Sequence, residues 1–579
     1  MLAAIIFKNL KVDYTLKNFN PLFLLIHLCL LSGFSGLRAQ DLAQIGKEKP
    51  LRVSGSMNIQ GGPYVYLGNG EPRNEPFWWQ ASGAPILSIY GWQLPFSFSY
   101  GSRNRSFNQP FNRFGVSPYY KWLTLHFGYR SIRMNPFVMS GLQFLGTGIE
   151  MNPRGFRFAA FYGRFAKPVA QDTLSSITPT PAFKRMGYGA KIGVGNRRSY
   201  VDLTLVKVAD DTTSIPSISN SSDVKPQDNL ALGLGGRIAF GRRVNLQFDV
   251  AGSLLNRDLR LPAIDTISAI KPIEKLFVPH WGFQLLTAGQ ASIQYSHKRI
   301  GMKVQVRRID PDYRSLAAYY QQTDMQSLTF EPTLRLMKNK IRLSGSIGRQ
   351  QDNLYKRKSY TSVRTIGSGN FSWSPSKDYN LTISYSNYGV AQQAGLLALN
   401  DTFRVAQNNR SIGFGQQISR TNKRRTFTFS MNATFQQLED LNPYGTYASG
   451  ENKVWFLNLN GNNIRIKDNL SIQGGMNISQ NQFLTGSYLL LGPTVGISKP
   501  LIKDKLQAAG TLSYNKGFQA GVSSGSTLNF YSSFNYQVSK THQFNLTFNI
   551  LHNSTPFINT GTFTEIRILA GYILVFQHK

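Results

Sequence analysis

The feature that most constrains this chain is a strict two-residue alternation of apolar and polar side chains, repeated almost to its end. In Phe427-Thr428-Phe429-Ser430-Met431-Asn432-Ala433-Thr434-Phe435-Gln436 one parity is wholly apolar and the other wholly polar. Successive side chains of a strand point to opposite faces, so such a segment is a strand with one oily and one wetted face. The pattern returns over residues 244–250, 302–307, 470–478 and 544–550, and less purely over 123–129, 186–194, 341–347 and 381–385. No stretch after residue 39 carries a helical repeat, and the chain reads as all-β.

Composition narrows the setting of those strands. Charged residues make up 16% of the 579, against about 25% in soluble globular domains, while 13% are aromatic and 52 are glycine. A disordered chain has few aromatics and a high charge density, so disorder is excluded. A helical membrane protein is excluded as well. The one sufficiently apolar stretch, residues 22–36, is shorter than the roughly 20 residues a spanning helix needs. That stretch instead completes an export signal: Lys8, Lys11 and Lys17 precede it, and Ser32, Gly33, Ser35 and Gly36 close it. Residues 1–39 therefore read as a signal peptide cleaved near Ala39. Removing them takes away Cys29, the single cysteine, and with it disulfides, thiolate metal sites and thiol nucleophiles. Export also removes nucleic acid as the partner of the +35 net charge.

Turn chemistry sorts the strands into hairpins. Very short polar connections fall at 152–155, 195–198, 241–243, 338–340, 374–378, 466–469 and 539–541, with longer ones near 166–182, 211–228, 257–287, 391–407 and 438–449. Short and long connections in strict alternation are what a transmembrane barrel gives, with tight periplasmic turns and longer outer loops. About 21 strands follow Leu142, each of roughly the length of a tilted membrane-crossing strand. An even total then requires an odd number before Leu142. The expected fold is a closed antiparallel transmembrane β-barrel of 22 to 26 strands, with 24 favoured. Candidate early strands are 51–67, 78–90, 94–100 and 119–130. Residues 40–118 form an N-terminal segment holding the first strands plus a periplasmic or lumenal element, and 119–579 form the main barrel. The stretch 101–118 does not read as a strand; it is either a periplasmic loop or a constriction folded into the lumen.

The last strand, within 562–577, has apolar residues at every second position from Ile566 to Phe576. Its close, Gly571, Tyr572, Leu574 and Phe576, resembles the C-terminal assembly signal of outer-membrane barrel proteins. It departs from that signal at Leu569, where a polar residue is usual, and in the trailing Gln577-His578-Lys579. The chain from about residue 51 onward thus resembles the large, porin-like outer-membrane β-barrels of bacteria. The resemblance implies a bacterial outer-membrane location, contact with the barrel-assembly machinery and with outer-membrane lipid, and no particular substrate.

Hydrocarbon cannot satisfy an open sheet edge, so the sheet must close with its apolar parity outward and its polar parity lining a lumen. On that inward parity stand Arg130, Lys191, Arg237, Lys303, Arg307, Arg335 and Arg342, which would favour anions if they line a pore. Pairing with Asp202, Asp249 or Glu331 would instead make them part of the wall. Tyr119, Tyr120, Trp122, Trp373 and Trp455 lie near strand ends and suit interfacial girdles, as do Trp78 and Trp79 unless they pack inside the N-terminal segment. Other basic residues, among them Arg242, Arg243, Lys338, Lys340, Arg424 and Arg425, sit in turns where phosphorylated lipid head groups would meet them. Enzyme signatures are weak. The string Gly521-Val522-Ser523-Ser524-Gly525 matches a nucleophile elbow in letters but joins two strands, the histidines, His126 on the polar parity among them, show no metal-ligand spacing, and no phosphate loop or dinucleotide fingerprint exists. No cofactor is implied. Two readings stay open: a channel for small polar or anionic solutes, and a non-conducting scaffold within an envelope or surface-lipoprotein assembly. An energised, TonB-dependent transporter is disfavoured because only residues 40–78 precede a good strand, too few for a globular plug.

Overall fold

The computed structural model describes residues 51–102, 113–170, 181–215, 224–264, 271–318, 322–358, 360–394, 406–440, 452–483, 486–555 and 561–577. The signal-peptide expectation for residues 1–39 lies outside them. Alternation along the chain becomes antiparallel pairing between chain neighbours. The 28 strand segments form one sheet, and the first, Leu51–Gly68, pairs with the last, Phe563–Gln577, so the sheet closes on itself.

Two pairs of segments are halves of one strand. Phe77–Gly83 and Ile86–Ile89 are interrupted at Ala84-Pro85, and Arg113–Val116 and Tyr119–Tyr120 at Ser117-Pro118. Proline has no N–H to give the ladder, which is why both interruptions fall there. The barrel has 26 strands rather than the favoured 24. All 21 strands expected beyond Leu142 are present, and the difference lies before it. Residues 119–130 do not form one strand, because the chain reverses at Lys121-Trp122, where Lys121 takes φ 52. Tyr119–Tyr120 instead completes a strand begun at Arg113, inside the stretch expected to be a loop or a constriction. The N-terminal residues from Leu51 are therefore wall, continuous in pairing with the rest of the sheet.

The tight connections expected from composition, including Asn152 to Arg154, Gly241 to Arg243 and Ile466 to Asn469, all fall at one end of the barrel. Longer connections occupy the other end, with departures from strict alternation: Phe483 pairs directly with Gly486 across one short connection, and a second follows at Ala520. Ala520 and Gly521, with φ 49 and 85, make a two-residue hairpin on the long-loop end. Both positive φ values are what a two-residue turn matched to strand twist requires, and Gly521 is free to take one. Gly521 is thus a turn residue, and Val522 to Gly525 belong to the strand Val522–Gln537.

The outer face is oily over the whole circumference: Ile192, Val194, Ile347 and Val495 are each 55–64% exposed. Apolar exposure on this scale is a liability in water and solvation in hydrocarbon, and closure leaves no open sheet edge there. The fold is that of a large β-barrel of the outer-membrane kind.

Aromatic side chains mark both rims of that oily band. At the tight-turn end Tyr120 stacks on Trp92 at 5.5 Å, Trp122 stands in the turn beside them, and Trp373 meets Tyr379 edge-on at 5.6 Å. At the long-loop end Trp455 packs on Phe435 with ring centroids 4.2 Å apart. Trp79 is exposed on the outward parity close to the long-loop end, and Trp78 holds the inward parity beside Gly62. Tyr119 does not join the girdle: it pairs with Thr124, on the same parity as His126, and so belongs to the inward row.

Candidate functional site

The interior divides into a packed side and a wetted side. On the packed side two connections from the long-loop end fold into the lumen, residues 131–142 and 310–318. Phe137, Val138 and Met139 of the first, and Leu316 and Ala317 of the second, are almost wholly buried. They rest on inward positions that are themselves apolar: Ala159, Phe161, Val206, Ala231, Ala251 and Leu286. The two connections are bonded to each other, Tyr313 Oη donating to Phe137 O at 3.0 Å and Ser315 Oγ to Val138 O at 2.6 Å. The wall bonds to them as well. Leu316 N donates to Asn229 Oδ1 at 3.1 Å, and Ser253 Oγ to Arg314 O at 2.7 Å. Burial pushes the Tyr313 phenol pKa up and lowers that of the Arg314 guanidinium. The lumen filling, among the described residues, thus comes from 131–142 and 310–318.

Around this packing the inward charges are mostly tied up. Arg157 grips Asp202 through Nε and Nη2 at 2.7 and 3.0 Å, reaching across the intervening strand at Gly193, where any Cβ would collide with the Asp202 carboxylate. Arg185 holds Asp210 in the same two-pronged way, at 2.7 and 2.9 Å. Lys191 is 6% exposed, in the field of Asp202 and Glu150. Lys303 bridges Glu331 at 3.3 Å, and the Arg307 guanidinium lies 5.7 Å over the Phe137 ring. Arg130 donates to Ser97 Oγ at 2.7 Å. Asp249 accepts from Gln290 at 3.0 Å and makes no ion pair among the described residues. Arg237 stands on the inward parity between Tyr200 and Gln247. Arg335 and Arg342 are different again. They face each other directly across neighbouring strands at the tight-turn mouth, with no carboxylate partner among the described residues. Like charges in that register repel, so both stay directed at water or at an anion.

Sequence reading missed a hydrogen-bonded chain in this wall. Ser117 Oγ lies 3.0 Å from His126 Nδ1, and His126 Nε2 lies 3.0 Å from Glu150 Oε1. The three residues come from three successive strands, and the signal for them was only their common inward parity. The histidine is 8% exposed and ties the interrupted strand at Pro118 to its neighbours.

The wetted side runs from the strand Ile341–Gln351 to His542–Ser554. Its inward positions are mainly amides, hydroxyls and glycines, with Arg342 and Arg364 on its first two strands and occasional rings such as Tyr388 and Phe456 further on, and Gln417, Asn432 and Asn460 are exposed to the interior. Among the described side chains, inward positions from Ser368 to Asn553 carry no charge. Two recesses lie in this wall, of about 410 and 360 Å³, and share Ser384.

No family model matches the chain, and no curated protein does. Among solved structures it is similar to the FrpB iron transporter from Neisseria meningitidis (F5-1 variant), at 12% identity and TM-score 0.41 over 90% of this chain and 82% of that one. It is similar as well to Pseudomonas aeruginosa OpdK with vanillate, at 10% identity and TM-score 0.30 over 61% of this chain and 94% of that one. Acinetobacter baumannii OccAB2 gives 10% identity and TM-score 0.29 over 61% and 93%. Likeness at this level carries no argument about activity. The strand pairing and the lining residues carry it instead.

Proposed function

We propose that the protein is an outer-membrane channel for small polar solutes, whose passage follows the uncharged wall and is narrowed by the two connections folded against the opposite wall. The observation that carries this reading is the asymmetry of the lining: inward side chains are buried apolar groups on one side and exposed amides and hydroxyls on the other. A scaffold filled throughout has no use for an exposed polar interior. Anion preference, on this reading, rests on inward arginines that pair with no carboxylate among the described residues, Arg335 and Arg342 at the tight-turn mouth and Arg364 toward the other end, since Lys303 pairs with Glu331 and Lys191 is buried. Catalysis forms no part of the proposal.

The location follows from the oily exterior, with the tight turns on the periplasmic side as in other barrels of this build. The C-terminal strand supports recognition by the assembly machinery. It places Tyr572 opposite Ile59 and Leu574 opposite Met57 on the outer face at the seam, with Phe576 beyond them. Purified protein in planar bilayers is expected to give a steady open current with weak anion preference. Absence of any current, with stoichiometric co-purification of a partner, would favour the scaffold.

A further inference from the structure

Resting on the channel reading, we propose that the wetted wall is a binding track for uncharged carbohydrate chains. Three properties of the wall converge on that class of ligand.

The first is its chemistry. Along one hydrogen-bonding row the inward positions read Ser344, Asn370, Ser384, Gly413, Thr434, Phe456 across six strands. The next row opens with four serines, Ser346, Ser368, Ser386 and Ser411. Hydroxyls and amides both donate and accept, so they match ligand hydroxyls of either sense without offering a charge to an ion. The second is shape. Gly413 and Gly415 leave the wall without side chains beside Ser384 and Asn432, and the recess of about 360 Å³ opens there; the one of about 410 Å³ lies beside it over Ser344, Ser368 and Ser386, with Glu331 at its far edge. Those volumes lie within the range of small-molecule sites. The third is the placement of aromatic faces. Phe456 ends the first row, level with Thr434, and Tyr388 stands one inward position beyond Ser386. Their exposures, 41% and 49%, are high for aromatic rings pointing into a lumen. An aromatic face accepts the C–H face of a pyranose while neighbouring amides take its hydroxyls. A track for inorganic anions would need the opposite: basic groups and no exposed rings.

The test uses the full-length protein in planar bilayers with potassium chloride. The probes are maltohexaose, cellohexaose and mannohexaose as neutral chains and hexagalacturonate as the anionic one. At least one neutral hexasaccharide is expected to reduce the current saturably, with hexagalacturonate needing a higher concentration for the same block. Phe456→Ala and Tyr388→Ala are each expected to raise the half-blocking concentration roughly three- to tenfold while leaving open conductance in place. Arg424→Gln, in a tight turn outside the lumen, should leave the neutral block unchanged. A conducting protein that none of the three neutral chains blocks, or that the anionic chain blocks more tightly, overturns the track. A protein with no current at all overturns the channel instead. In that case titration calorimetry in detergent with the same sugars decides the track by itself: saturable heat upholds it and none removes it.

Discussion

Asp324 and Asp310 pin the two ends of the connection that folds into the lumen, and their partners decide how that connection responds to acid. Asp310 accepts from Thr287 N and Thr287 Oγ1, at 2.8 and 2.6 Å, and Asp324 N donates to Asp310 O at 3.2 Å. Lys358 reaches from the next long connection to Asp324 at 2.5 Å and Asp352 at 3.5 Å. Burial pushes the Asp324 carboxyl up, but Lys358 and the backbone N–H groups of Leu354 and Asn353 outweigh it, and the net shift is downward. The folded state then binds this proton less tightly than the unfolded chain, whose value is about 3.9. The stabilisation is present above that value and disappears as pH falls through the lower folded one. Channel current is therefore expected to stay level from neutral pH to about pH 5, and to rise, as the connection loosens, only below about pH 4. Lys358→Met should bring the rise to higher pH. A current that changes between pH 7 and 5 in the unmodified protein would show that other groups hold the connection.

As elements, the two inward connections are held by packing more than by their own hydrogen bonds. Phe137 is 1% exposed and meets Tyr313 edge-on at 6.3 Å. Phe137→Ala is expected to cost about 3–5 kcal/mol against chemical unfolding in micelles, from lost burial and the cavity left behind. It should also raise single-channel conductance, since the freed connection no longer narrows the lumen. Unchanged conductance would mean the passage does not run beside it. The packed side was partly legible in the sequence. The strand Asp228–Phe240 puts Ala231, Gly233 and Gly235 on its inward parity, where a watered wall puts Asn or Ser. The reason is steric: a Cβ at Gly233 would stand 2.7 Å from Val138 Cγ2. Small and apolar inward residues recur on successive strands here, and that run distinguishes a filled lumen from an open one. What fills it was not legible, because 131–142 and 310–318 carry no periodicity and meet across well over a hundred residues of chain. The ion pairs were hidden for a related reason. Asp202 was named as a partner for arginine, but Arg157 reaches it across a strand that only a glycine leaves passable.

For the whole molecule, closure was legible from alternation alone, while the strand total failed where the strand from Arg113 to Tyr120, broken at Pro118, did not read as one and the tight turn after it hid inside an apparent strand. Charge was legible in amount, and the fold gives it direction. Of the turns at the tight-turn end, Tyr90-Gly91 is the one without a basic residue. The others carry Lys121, Arg154, Arg242, Arg243, Lys298, Arg299, Lys423, Arg424, Lys503, Lys505 and Lys540, among more, against Asp378, Asp468 and Asp504. Asp468, itself held at about 2 by Arg465 and with Lys499 close by, stays charged throughout the working range and offsets little of this. A basic rim just beyond the oily band faces the phosphates of the leaflet it touches, each nearby Lys or Arg contributing about 1 kcal/mol with anionic lipid, within a Debye length of the surface. The protein in bicelles containing phosphatidylglycerol is accordingly expected to unfold at a higher temperature than in phosphatidylcholine alone, by a margin that shrinks as salt rises from about 0.05 to 0.5 M. Arg242→Gln with Arg243→Gln should narrow the margin, whereas Arg357→Gln, on a long connection at the other end, should not. Equal unfolding temperatures in the two lipids at low salt would mean that the rim meets water or a protein rather than the head groups.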